Sequence, residues 1–66
     1  MSRRELVYNY MIEHRTATTM EINSVEVGGS EGTKRLRELR ASGRLRMYDP
    51  VRIPGSSQFR YTLIED

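Results

Sequence analysis

The sequence contains no cysteine and no tryptophan, a single phenylalanine, a single histidine and two prolines. Without cysteine there are no disulfides to reinforce the fold and no thiolate to hold a metal. One histidine and no cysteine leave few nucleophile–base pairs, and no Ser/His/Asp arrangement is legible. The expectation is therefore a protein that is not an enzyme and carries no cofactor or metal. His14 stands alone, which fits a partner at a helix C-terminus better than a metal ligand. Long apolar runs are also missing. No stretch approaches the roughly 20 residues that span a bilayer, and no signal-peptide pattern opens the chain. A soluble, cytoplasmic protein with no membrane partner is expected. The 66 residues make one domain, 1–66, and a chain this short buries only about 60% of its unfolded surface. So thin a core is expected to leave no room for a small-molecule substrate pocket of several hundred Å³.

Charge is present but uneven. The net charge is only +2, yet residues 30–46 hold Lys34, Arg35, Arg37, Arg40, Arg44 and Arg46 against Glu31 and Glu38. Residues 16–29 hold only Glu21 and Glu26. A basic stripe confined to one stretch is the footprint of a surface that meets a polyanion, although a solvated helix face can be equally Arg-rich.

Periodicity gives the order of elements. Residues 3–14 read as a helix, with Ser2 and Glu5 at capping-box spacing and Leu6, Val7, Tyr10, Met11 and Ile12 apolar at helical intervals. Thr16 to Thr18 form a short extended link. Thr18 and Glu21 repeat the capping-box spacing and begin a second helix, about residues 19–25, with Met20, Ile22 and Val25 inward. Gly28-Gly29 stops it as a turn; the pair lacks the lysine and spacing of a phosphate-binding loop. A third helix spans residues 30–43, with Ser30 as N-cap and Gly43 as the left-handed C-terminal residue. Its Gly32, Leu36 and Leu39 share one side. Lys34, Arg37, Glu38 and Ala41 lie opposite, and Arg35 and Arg40 flank the apolar stripe. After Gly43 the pattern alternates: Leu45 and Met47, then Phe59, Tyr61 and Leu63, with Pro54-Gly55-Ser56-Ser57 as a turn between. Pro50 confines the first strand of this hairpin to an edge or irregular position. The tyrosines and Phe59 are expected at the core or its edge, because a small domain needs its aromatic area inside.

Two helices joined by a short glycine-containing turn, the second with one apolar and one cationic face, form a helix-turn-helix whose second helix fits the major groove. The segments T-T-M-E-I, G-G-S-E-G-T-K-R-L-R-E-L-R-A-S-G-R-L and F-R-Y-T-L, beginning at Thr18, resemble the winged helix-turn-helix family. The resemblance implies an α+β fold, a three-helix core followed by a C-terminal β-hairpin wing, and binding of double-stranded DNA. It also implies that Leu36 and Leu39 pack helix 30–43 onto the first helix.

Carried over by position, Lys34 and Arg37 are the groove-facing candidates, and Ser30 and Thr33 reach phosphate or base edges from the helix start. Arg35 and Arg40 hold the backbone, and Arg52 and Arg60 are wing contacts. Glu38 on the same face departs from a purely cationic surface; it accepts from cytosine, restrains a neighbouring arginine, or repels phosphate. The expected role is a small transcriptional regulator. The alternatives are an architectural, excisionase-like factor that bends DNA, and a protein-interaction module whose basic helix meets an acidic partner. A homodimer would double the site read, with Val7, Ile12 or Ile64 as places for a seam.

Overall fold

The computed structural model describes residues 2–64. In chain order these form α1 (Arg3–His14), β1 (Thr16–Thr18), α2 (Thr19–Ile22), a 3-10 turn (Gly29–Glu31), α3 (Gly32–Ala41), β2 (Val51–Arg52) and β3 (Phe59–Thr62). The fold is α+β, with three α-helices and an antiparallel sheet of strand order β1-β3-β2 among the described residues. No described helix is long and apolar enough to cross a membrane.

The first helix starts where the Glu5 N–H donates to the Ser2 Oγ at 3.2 Å. Val7 and Met11, one turn apart, are fully buried. Burial removes Val7 from the candidate dimer seam, whereas Ile12 stays exposed and Ile64 half-buried. Arg15 ends the helix in the left-handed conformation, and the chain reverses into β1. Residues 16–18 are thus more than the link expected of them. They are an edge strand paired with β3 in the register Thr16↔Thr62, Ala17↔Tyr61 and Thr18↔Arg60. The two β-branched threonines of the triplet favour extension, but its partner lies more than forty residues away in sequence.

The second helix begins with the expected capping box: Thr18 N–H donates to Glu21 Oε1 at 2.8 Å, and Glu21 N–H to Thr18 Oγ at 3.3 Å. It stops at Ile22, three residues early, and two inward assignments fail with it. Met20 is 67% and Val25 79% exposed, while Ile22 and Val27 fill the core. One helical turn presents one residue inward. The loop then folds back through Gly28 N–H to Ile22 O at 3.0 Å and Val27 N–H to Ser24 O at 3.0 Å, which swings Val27 in and leaves Val25 on the crest.

Ser30 is not the N-cap of α3. It lies in the preceding 3-10 turn, and Glu31 occupies the cap position without a side-chain bond. The orphan donor at Thr33 is satisfied instead from α2, by Asn23 Oδ1 at 3.0 Å. This cap comes with a close crossing. A Cβ on Gly32 would lie 2.1 Å from the Ile22 carbonyl oxygen, and a Cβ on Gly28 would lie 2.3 Å from the Gly32 Cα. At the other end, Gly43 (φ +84°) donates to Arg40 O at 3.1 Å and Arg44 to Leu39 O at 3.1 Å, a Schellman motif.

Leu36 and Leu39 are fully buried in one cluster with Val7, Met11, Ile22, Ala17, Leu45, Met47 and Leu63. Beyond α3 the alternation holds: Leu45 and Met47 are buried, Arg46 and Tyr48 exposed. A continuous strand does not form there. Met47 makes one bridge to Leu63, the chain leaves the sheet around Pro50, and β2 is two residues long. Ile53-Pro54-Gly55-Ser56 closes the hairpin with Ser56 N–H to Ile53 O at 3.2 Å and Gly55 at φ +78°, as a type II turn requires. Tyr8, Tyr10 and Tyr61 pack against the core, but Tyr48 (58% exposed) and Phe59 (38%) do not bury as expected.

Two glycines test the crossing. Gly32→Ala adds a methyl into backbone and is expected to cost about 2 kcal/mol or more, roughly 8 °C or more in thermal midpoint. Gly43→Ala meets nothing within 4 Å and carries only the penalty of its positive φ, about 1 kcal/mol. Equal melting points for the two variants would contradict the close approach of α2 and α3.

Candidate nucleic-acid interface

The exposed side of α3 is where the sequence placed its cations, and the structure divides them. Arg35 is held on both sides, to Glu38 at 2.9 Å and Glu31 at 3.3 Å. Glu38 also takes Arg4 of α1 at 3.4 Å, so Arg35 and Glu38 belong to the seam with α1 and not to the outer face. Of the three roles open to Glu38, the one its geometry matches is restraint of a neighbouring arginine. Arg40 pairs with Asp49 at 2.7 Å. Lys34 is 4.0 Å from Glu31, the loosest of these pairs. Arg44, which adds to the basic count, reaches back to Glu5 at 2.8 Å and lies 4.4 Å from the centre of the Tyr8 ring.

Arg37 is different. It is exposed and has no ionic or hydrogen-bonding partner among the described residues. Thr33, Arg37 and Arg40 follow at helical intervals of four and three, so they form one line along α3, with Lys34 beside it. Ser30 lies a turn away, exposed in the 3-10 segment.

The hairpin cations are also separated. Arg52 pairs across the sheet with Phe59, so by strand alternation it shares the face of Phe59 and Tyr61. Its Nε donates to Ser56 O at 2.9 Å, which folds it along the hairpin tip. Arg60 is exposed and without a partner among the described residues, but it pairs with Thr18 and Val51 and therefore faces the other side of the sheet. Thr33, Lys34, Arg37, Arg40 and Arg52 thus gather around one surface; Arg35 and Arg60 do not.

Sequence reasoning missed the residues that set the spacing of this surface. The Thr19 Oγ accepts from Phe59 N–H at 2.9 Å, and Gln58 Oε1 accepts from Met20 N–H at 3.2 Å. These bonds dock the hairpin on the start of α2. Between hairpin and α3 lies a cleft of about 390 Å³, bordered by Thr19, Thr33, Arg37, Arg40, Ser57 and an apolar set that includes Leu36 and Phe59. Its volume overturns the expectation that so short a chain lacks a pocket. The cleft forms because the chain bows out at Pro50 and does not close a full strand against α3.

Among the described residues no cluster of three or more His, Cys, Asp or Glu side chains could hold a metal ion. His14 stacks on Tyr10, ring centres 4.1 Å apart, near the end of α1. Compared with known protein families, with curated proteins and with solved structures, the chain matches none.

The ion pairs leave a titration signature. A hydrogen bond from Arg35 lowers the Glu38 pKa, with the nearby charges of Arg35, Arg4 and Lys34 adding to it. Arg44 does the same for Glu5. The Thr18 backbone N–H lowers Glu21, helped by the Tyr10 hydroxyl. All three folded-state values lie below the unfolded ones. Their contribution is complete above the ordinary carboxylate range and is lost as pH falls through the lowered values. Urea midpoints are expected to fall between pH 6 and pH 3, with a shallower fall in Glu38→Gln. An unchanged midpoint over that interval would contradict these pairings.

Proposed function

We propose that the chain is a winged helix-turn-helix domain that binds double-stranded DNA, with α3 in the major groove and the hairpin as wing. One observation carries the reading. Arg37 projects unpaired from a helix whose opposite face, Gly32, Leu36 and Leu39, is wholly buried. A rod anchored on one side and cationic on the other suits a groove about 12 Å wide that displays guanine acceptors to arginine. The strand order β1-β3-β2, with a strand between the first two helices and a hairpin after the third, supports the winged reading over a bare helical one.

Within this reading Arg37 contacts bases, with Lys34 and Thr33 beside it. Arg40 and Arg52 meet phosphates, Arg40 by exchanging the exposed Asp49 for the DNA backbone. Arg35 is a structural residue whose guanidinium stays with Glu31 and Glu38. The role that follows is a small regulator of transcription acting by occupancy of its site in the cytoplasm.

A second reading, a protein-docking module, is favoured by the internal pairing of Arg35, Arg40 and Arg44 and by the exposure of Met20 and Val51. Salt dependence separates the two. For DNA binding, log affinity falls with log salt by about 0.9 per phosphate contacted. With Arg40 and Arg52 on phosphates, a slope of about −2 is expected. Arg37→Glu should abolish duplex binding while circular dichroism is unchanged, whereas Arg35→Gln should keep most of the affinity and lose some stability. Unaltered duplex affinity in Arg37→Glu would remove the reading.

A further inference from the structure

The cleft between α3 and the hairpin has features that a groove-reading surface does not require. Its volume, about 390 Å³, falls within the range of small-ligand sites. Pro50, Phe59 and Tyr61 form its accessible apolar wall, with the nearly buried Met47 and the fully buried Leu36 beneath its floor. The one phenylalanine of the chain stands at this cleft 38% exposed, in a domain with little apolar area to spare. A phosphodiester backbone would leave that apolar wall uncovered.

The charge at the border narrows the choice. Arg37 lies on the cleft with no partner among the described residues, while Arg40 beside it is occupied by Asp49 at 2.7 Å. One cation is free and one is satisfied. Thr33 and Ser57 add hydroxyls at the border. An apolar wall with a single unpaired guanidinium matches a molecule with an apolar body and one carboxylate, because guanidinium and carboxylate form a forked, charge-assisted pair. A neutral molecule would leave Arg37 unanswered, and a polyanion would have to open the Arg40–Asp49 pair.

We propose that this cleft is a binding site for a small aromatic or aliphatic monocarboxylic acid, its apolar body on Phe59, Pro50 and Met47 and its carboxylate on Arg37. Such a ligand occupies the side chain assigned above to DNA, so acid and duplex exclude one another and each weakens the apparent affinity of the other. The site itself stands on the cleft and on Arg37, whether or not DNA binds.

Naphthoate is the probe, with uncharged naphthamide as its control, titrated into the full chain and followed by amide and methyl chemical shifts. The expected result is saturable shifts centred on Arg37, Met47, Phe59 and Tyr61, with naphthoate bound about tenfold more tightly than naphthamide. Arg37→Gln should erase that preference, and Ser57→Trp, which fills the cleft from its exposed border, should weaken both ligands, each with unchanged circular dichroism. Absence of saturable shifts, shifts centred elsewhere, or equal affinity for the two probes would overturn the proposal. A labelled duplex in parallel separates the two ideas. Naphthoate binding without duplex binding sinks the DNA reading alone, and duplex binding without naphthoate binding sinks this one alone.

Discussion

The crossing of α2 over the start of α3 fixes what every other part of the surface can do. Ile22 presents its carbonyl where a Gly32 side chain would otherwise stand, and a Cβ on Gly28 would lie 2.3 Å from the Gly32 Cα. Only backbone without Cβ atoms permits that approach. With the helices this near, the Asn23 amide reaches the Thr33 N–H and caps α3 from outside its own sequence. The crossing therefore sets the angle at which α3 leaves the core, and with it the direction of Arg37. The hairpin is referred to the same point, since Thr19 and Met20 at the start of α2 hold Phe59 and Gln58.

Most of the cations on and around α3 are engaged in ion pairs within the fold. Formal charge made α3 and its surroundings a uniform basic stripe. Each pairing in the structure removes part of it: Arg35 to Glu31 and Glu38, Arg40 to Asp49, Arg44 to Glu5. Exposed pairs of this kind add little to stability individually. Their consequence is selective, because they leave Arg37 as the open guanidinium on the outer line of α3. A surface with one unengaged cation beside an apolar cleft discriminates among anions more than a blanket of positive charge would.

The short second strand and the cleft have a common origin. Proline has no N–H to give a sheet ladder, and the chain at Pro50 leaves the pairing that Met47 and Leu63 began. The hairpin resumes at Val51 and closes on its Pro-Gly turn, but the bowed segment leaves space over Leu36 and Met47. Phe59 and Tyr48 remain accessible because the two-residue strand brings too little backbone to cover them.

Much of this was legible in the residues. The capping box at Thr18 and Glu21, the buried Leu36 and Leu39, the glycine that ends α3 and the in–out alternation of Leu45 and Met47 are local or periodic signals, and short-range sterics and hydrogen bonding enforce them. What failed depended on contacts outside the periodic pattern of a single element. The strand at Thr16–Thr18 needed β3; the cap of α3 came from Asn23 and not Ser30; Val27 rather than Val25 turned inward because the loop closes on Ile22. The candidate site divides in the same way. Sequence alone determined that one helix would be apolar on one side and basic on the other, since 3.6 residues per turn fixes which side chains share a face. Which of those cations stays free was decided only by tertiary structure, because a guanidinium is engaged or left open according to which carboxylate the fold brings within reach.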